Sequence, residues 1–100
     1  MRRALGRAGA DISTWRKLRG LTQAQVADRA GVSRGTLARL ENGDEGVTAG
    51  NVFRILRALG LLDALTTALD PYETDVGRLR SDQQLPQRVR PKKLTGQDNG

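Results

Sequence analysis

The chain has 100 residues and a formal net charge of +6; 37% of its residues are hydrophobic and 3% are aromatic. This length and composition favour one small helical domain with a core of leucine, valine, alanine and isoleucine. Because the sequence has neither cysteine nor histidine, disulfides, thiolate zinc sites and Ser–His–Asp or Cys–His catalysis are excluded.

Two further classes of protein are excluded by what the sequence lacks. No apolar run approaches the roughly 20 residues that a membrane-spanning helix needs. The chain also lacks the GxxxxGK[ST] loop that binds nucleotide phosphates. We therefore expect a soluble cytoplasmic protein that is not an enzyme, needs no cofactor or metal and has no membrane partner.

The charges are distributed unevenly along the chain. Residues 1–40 contain nine basic and two acidic residues, residues 41–75 two basic and seven acidic, and residues 76–100 six basic and two acidic. A polyanion is therefore attracted to the first segment and to the tail, and not to the middle. The alternative is a basic surface that is merely solvated.

The first ten residues are rich in arginine and glycine, which predicts a flexible basic N-terminus over residues 1–10. A helix is expected from about Asp11 to Arg19, because Ile12, Trp15 and Leu18 recur at a spacing of three and a glycine follows.

Residues 21–42, LTQAQVADRAGVSRGTLARLEN, contain two short amphipathic patterns separated by a glycine. Thr22 and Gln25 form a capping box for the first helix. Gly31 suits the left-handed conformation that ends this helix, and Ser33 can cap the second. The second helix turns leucines inward and arginines outward, which is typical of a recognition helix that enters the major groove of DNA.

Two more helices are expected after this segment. The first begins at the cap Thr48 and carries an apolar stripe. The second, over Leu61–Leu69, is more apolar than a small core requires, which predicts a dimerisation face; the alternative is that it only closes the core. The residues of the proposed face are Leu61, Leu62, Leu65 and Leu69.

Beyond Asp70 the composition becomes more polar. We expect the folded domain over residues 11–70 and a partly disordered extension over residues 71–100. Within the extension, the sequence predicts one short helix around Asp75–Gln84, followed by a flexible basic tail.

Arg16 and the segments LTQAQVADRAGVS and LARLENG together resemble the Xre-type helix-turn-helix family of phage-repressor and Cro-like regulators, from about Ile12 to Leu62. The resemblance implies an all-α, five-helix domain that binds double-stranded DNA. The later segment LENGDEGVTAGNVFRILRALGL is similar to HipB-type antitoxins.

The resemblance also implies roles for individual residues. Gln23 is expected to bind phosphate at a helix N-terminus, where free N–H groups favour an anion; the alternative is an idle surface amide. Outward arginines can bond guanine O6 and N7 together; the alternative is a structural salt bridge for each. Gly35 departs from the family pattern, which has a base-reading side chain there. The expected base contacts are Arg34, Gly35, Thr36 and Arg39, and the expected phosphate contacts are Thr22, Gln23, Ser33, Asn42 and Gly43.

The sequence also predicts roles for charged residues near the expected recognition helix. Family members pair an arginine and a glutamate at the positions of Arg16 and Glu41, so we expect a largely buried ion pair; the alternative is two independent surface charges. Asp44 and Glu45 would repel phosphate, and are expected to point away from DNA or towards a partner.

The resemblance finally implies a transcriptional repressor that binds a palindromic operator as a homodimer and associates with the nucleoid. The alternative is an antitoxin that neutralises a partner toxin and autoregulates its operon. A third possibility is architectural binding without sequence preference.

Overall fold

A computed structural model describes residues 1–73 and 75–84 of the chain. This part contains α-helices and one 3₁₀ turn but no strand, which confirms the all-α prediction. The expected basic tail beyond residue 84 lies outside the described residues. The elements are α1 (Arg2–Leu18), α2 (Gln23–Ala30), α3 (Arg34–Glu41), α4 (Ala49–Ala58), α5 (Leu62–Leu69), the 3₁₀ turn Pro71–Glu73 and α6 (Asp75–Gln84).

The chain divides into two compact units after Leu65, and the residues considered below for DNA binding lie in the first. Within residues 1–73 and 75–84, no helix combines the length and the apolar character needed to cross a bilayer.

Side-chain caps determine where α2, α3 and α4 begin. Thr22 Oγ1 accepts a hydrogen bond from the Gln25 N–H at 3.1 Å, and Gln25 Oε1 accepts one from the Thr22 N–H at 2.9 Å. The hydroxyls of Ser33 and Thr48 each accept from the N–H three residues further on. Each bond satisfies an N–H that the first helical turn leaves unpaired, so the predicted capping box and caps are confirmed.

Helices α1, α2, α3 and α4 each end in the same type of turn, called the glycine joint below, in which a glycine adopts a left-handed conformation. The glycine N–H donates to the carbonyl three residues back, and the next N–H donates to the carbonyl five residues back. This joint brings the residue after the glycine over the last helical turn. The four glycines are Gly20, Gly31, Gly43 and Gly60, with φ between 71° and 79°.

The core of the first unit is built from aliphatic side chains. Leucines and valines after three of the glycine joints (Leu21, Val32 and Leu61) pack partly buried against this core. The buried core residues are Ile12, Val26, Ala27, Ala30, Leu37, Leu40, Ile55 and Leu59.

Helix α1 differs from the sequence prediction at both ends. It begins at Arg2, so the expected start at Asp11 and the expected flexible segment over residues 1–10 are wrong. Its inner face contains Gly9, Ile12 and Arg16, while Trp15 and Leu18 are 42% and 71% exposed. Positions separated by three and then four residues lie closer to one helical stripe than positions separated by three twice, which explains the wrong assignment of the face.

The N-terminal half of α1 is held by close backbone contact with the end of α3. A Cβ atom at Gly9 would lie 2.6 Å from the carbonyl oxygen of Glu41 and closer still to that of Leu40. A Cβ atom at Gly43 would lie 3.0 Å from the backbone of Gly6. Only glycine allows this approach, so packing outweighs the low intrinsic helix propensity of glycine in α1.

The two glycines of α1 provide a matched test of this packing. Gly9→Ala is expected to lower the free energy of unfolding by about 1–2 kcal/mol, because the clash with carbonyl groups exceeds the gain in helix propensity. Gly6→Ala has open space around the new methyl group and is expected to raise it by up to ~1 kcal/mol. Urea unfolding of both variants measures the difference; equal stabilisation by both would contradict the close approach.

Candidate nucleic-acid interface

A buried ion pair joins α1 to the end of α3. Arg16 Nε lies 2.7 Å from Glu41 Oε2, Arg16 Nη2 lies 3.1 Å from Glu41 Oε1, and the side chains are 10% and 6% exposed. Arg16 Nη1 donates to the Leu21 carbonyl oxygen at 3.0 Å, just before α2. The pair is thus bidentate and contacts the start of the helix-turn-helix as well as its end.

Gln23, the predicted phosphate ligand, is part of the same network. Its Nε2 donates to Glu41 Oε1 at 3.0 Å, so this amide group bonds to a carboxylate inside the domain. The bond ties the first turn of α2 to the last turn of α3. Phosphate binding by Gln23 stays a prediction. Its Nε2 has two N–H donors and the bond to Glu41 uses one of them, so the second is the donor that a phosphate would take.

The protonation of the pair follows from its surroundings. Burial alone would raise the pKa of Glu41, but hydrogen bonds from Arg16 and Gln23, the positive charge of Arg16 and a hydrogen bond from Ser13 together hold that pKa below its ordinary value. The hydrogen bond to Glu41 raises the pKa of Arg16, against the opposing effect of burial. Both groups are therefore charged at neutral pH.

The outer face of α3 carries the predicted base contacts. Arg34, Gly35 and Arg39 are exposed, and Thr36 is partly exposed. The Ser33 hydroxyl donates to Thr36 Oγ1 at 2.8 Å, so the two hydroxyls engage each other at the start of the helix. All four residues are thus at least partly accessible to solvent on α3, and base contact by them stays a prediction.

Arg39 has an acidic neighbour that sequence reasoning did not assign to it. Its Nε lies 3.3 Å from Asp44 Oδ2, with the side chains 52% and 42% exposed. The charge argument predicts that Asp44 points away from DNA or towards a partner, whereas its carboxylate lies beside a predicted base contact. The sequence contains a signal for this contact: Asp44 follows Arg39 by five residues and directly follows Gly43, and a helix-ending glycine turn brings two such residues together.

The loop after α3 uses its backbone donors internally. The Asn42 N–H donates to carbonyl groups of the last turn, and the Gly43 N–H donates to the Leu40 carbonyl at 3.0 Å. The resemblance implied that backbone N–H groups here bind phosphate. With the N–H groups of Asn42 and Gly43 occupied, the exposed side-chain amide of Asn42 is a donor that these two residues can still offer.

A comparison with known protein families identifies the family to which this helical domain belongs. A helix-turn-helix family model of the Xre/Cro-like kind matches residues 12–64, which include α2, α3, α4 and the joints between them. The chain belongs to this family. Comparisons with curated proteins and with solved structures gave no significant match. This helix-turn-helix protein is therefore a DNA-binding transcriptional regulator.

The buried Arg16–Glu41 pair predicts how the free energy of unfolding changes when one or both charges are removed. Removing one partner leaves the other charge buried, so Glu41→Ala or Arg16→Met is expected to cost about 3–5 kcal/mol of unfolding free energy. Replacing both by apolar residues is expected to recover much of this loss. Urea unfolding of the two single variants and the double variant measures the coupling; additive losses below ~1 kcal/mol would show independent surface charges.

The pH dependence of stability provides a second readout of the pair. Because the folded-state pKa of Glu41 is lowered, its stabilisation is present above the ordinary value of 4.5 and is lost as the pH falls through the folded-state pKa. The stability difference between the natural protein and Glu41→Gln should therefore shrink on acidification from neutral pH to about pH 3. A difference that stays constant or grows would contradict the lowered pKa.

Proposed function

We propose that this regulator is a repressor that reads a palindromic operator as a homodimer, with Arg34 and Arg39 as its base-reading side chains. The observation that supports this most directly is the position of both arginines on the exposed face of α3. In helix-turn-helix proteins the recognition helix lies in the major groove, where a bidentate arginine is the commonest specific contact.

The rigid attachment of α3 supports sequence-specific over sequence-neutral binding. The recognition helix is fixed through Glu41 to Arg16 and Gln23, and through its backbone to Gly9. A helix whose last turn is fixed in this way presents its arginines at one angle, which direct readout of base edges requires. Architectural binding without sequence preference needs no such constraint.

Phosphate contacts are proposed around the ends of α2 and α3. Thr22, Gln23 and Ser33 lie at the N-termini of these helices, where the helix dipole and the first N–H groups favour an anion. Beyond the end of α3, the exposed side chain of Asn42 completes the proposed set. Gly43 is left out of it, because its N–H already donates to the Leu40 carbonyl oxygen. Such contacts position the protein on the duplex without selecting sequence.

The proposed homodimer uses the leucines of α5 together with Leu61, which directly precedes this helix. Leu61 packs partly against the core of the first unit, Leu62 and Leu65 are partly buried, and Leu69 is exposed. An isologous two-fold contact through such a helix matches a palindromic site. The antitoxin alternative is supported by the sequence resemblance alone, and co-purification of a second protein with the full chain would favour it.

Selection of bound sites from random DNA tests the proposed function, and a palindromic consensus is its expected result. On the selected operator, Arg39→Ala is expected to cost about 1–3 kcal/mol of binding free energy. It is also expected to relax the base preference at one position of each half-site. Gln23→Ala is expected to weaken binding to all sequences alike, because a phosphate contact carries no base information and the bidentate Arg16–Glu41 pair still fixes α3.

Binding of each variant to a panel of single-base operator variants measures both effects, and urea unfolding checks that the Gln23 variant still folds. The reverse pattern, uniform weakening by Arg39→Ala and a position-specific loss by Gln23→Ala, would show that the two roles are assigned wrongly.

A further inference from the structure

The joint after α3 differs from the other glycine joints of the domain. After Gly20, Gly31 and Gly60, the next residue is Leu21, Val32 or Leu61, and each packs partly buried against the core. An apolar contact of this kind commonly accompanies the joint. After Gly43 the next residue is Asp44, and it faces Arg39 on the surface of the recognition helix.

Asp44 is held in place by two hydrogen bonds besides its ion pair. Its N–H donates to the Arg39 carbonyl oxygen at 3.0 Å, as the joint requires. Its Oδ1 accepts from the Gly46 N–H at 2.6 Å. The remaining oxygen, Oδ2, is the one that approaches Arg39 Nε at 3.3 Å. The carboxylate therefore has a defined position before any DNA binds.

The side of Arg39 that Asp44 approaches is significant for base reading. A guanidinium is a planar fork of five N–H donors. Contact through Nε leaves the two terminal NH₂ groups as the pair that can bond guanine O6 and N7. We propose that Asp44 is a positioning residue that orients the Arg39 guanidinium for a guanine and thereby sets specificity. This inference rests on the proposed function of Arg39 as a base-reading residue.

A role in stability explains the pair less well. An ion pair whose side chains are about half exposed contributes little to folding, because solvent screens it. A carboxylate beside DNA also repels phosphate, so Asp44 lowers the affinity for every sequence. Orientation of Arg39 opposes this loss only at the cognate base, since fixing a flexible side chain beforehand reduces the entropy lost on binding. Asp44 is thus expected to increase discrimination at the expense of general affinity.

The test is Asp44→Asn in the full chain, with Glu45→Gln as the control that removes an equal charge from the same loop. Binding is measured on the selected operator, on variants at each half-site position, and on random DNA. Asp44→Asn is expected to reduce discrimination roughly three- to tenfold at the base pair that Arg39→Ala relaxes. Discrimination at the position relaxed by Arg34→Ala should stay unchanged, and affinity for random DNA should stay equal or rise. Glu45→Gln should leave discrimination unchanged at every position.

A double variant separates orientation from charge. In the Arg39→Ala background, Asp44→Asn should cause no further loss of discrimination at that position. The proposal is overturned if Asp44→Asn raises affinity for all sequences by one common factor, or if it lowers discrimination equally with and without Arg39. If Arg39→Ala itself relaxes no position, the base-reading assignment fails instead, so the two failures are distinguishable.

Discussion

The position of the recognition helix depends on one buried carboxylate. Glu41 accepts hydrogen bonds from Arg16 of α1 and Gln23 of α2, while it belongs to the last turn of α3. Burying two opposite charges costs desolvation energy that their attraction offsets only in part, so such a pair is weak evidence for stability. Its geometry, however, is bidentate and directional. We therefore interpret the pair chiefly as a device that fixes the angle of α3.

A second constraint on α3 comes from close backbone packing at glycines, which have no Cβ atom. Gly9 lets α1 approach the last carbonyl groups of the recognition helix, and Gly43 lets the following loop approach the backbone near Gly6. No side chain lies between these segments, so there is little room for α3 to tilt. The ion pair and the glycine contacts act on the same turn of α3. Leu37 and Leu40 turn one face of α3 into the core, and the arginines lie on the face that is left to solvent.

The parts of the fold that the sequence predicts correctly are those that depend on neighbours along the chain. The capping box at Thr22 and Gln25 and the left-handed Gly31 arise within a few residues, so local chemistry predicts them. The early start of α1 was missed because its stability comes from contact between Gly9 and a helix some thirty residues further on. The pairing of Asp44 with Arg39 does not follow from the charge pattern, because it depends on the turn at Gly43 that brings residue 44 back over residue 39.

The composition of α3 determines how much each arginine must contribute to recognition. Gly35 has no side chain to reach a base, and the Thr36 hydroxyl bonds to Ser33. Within the described residues, this leaves Arg34 and Arg39 as the long polar side chains on the exposed face of the helix. Under the proposed function, two base-reading side chains in each half-site cannot distribute specificity over many weak contacts, so the orientation of each one has a large effect. A helix with few base-reading side chains therefore gains more from neighbours that hold them than a helix with many, and this is the role that we propose for Asp44.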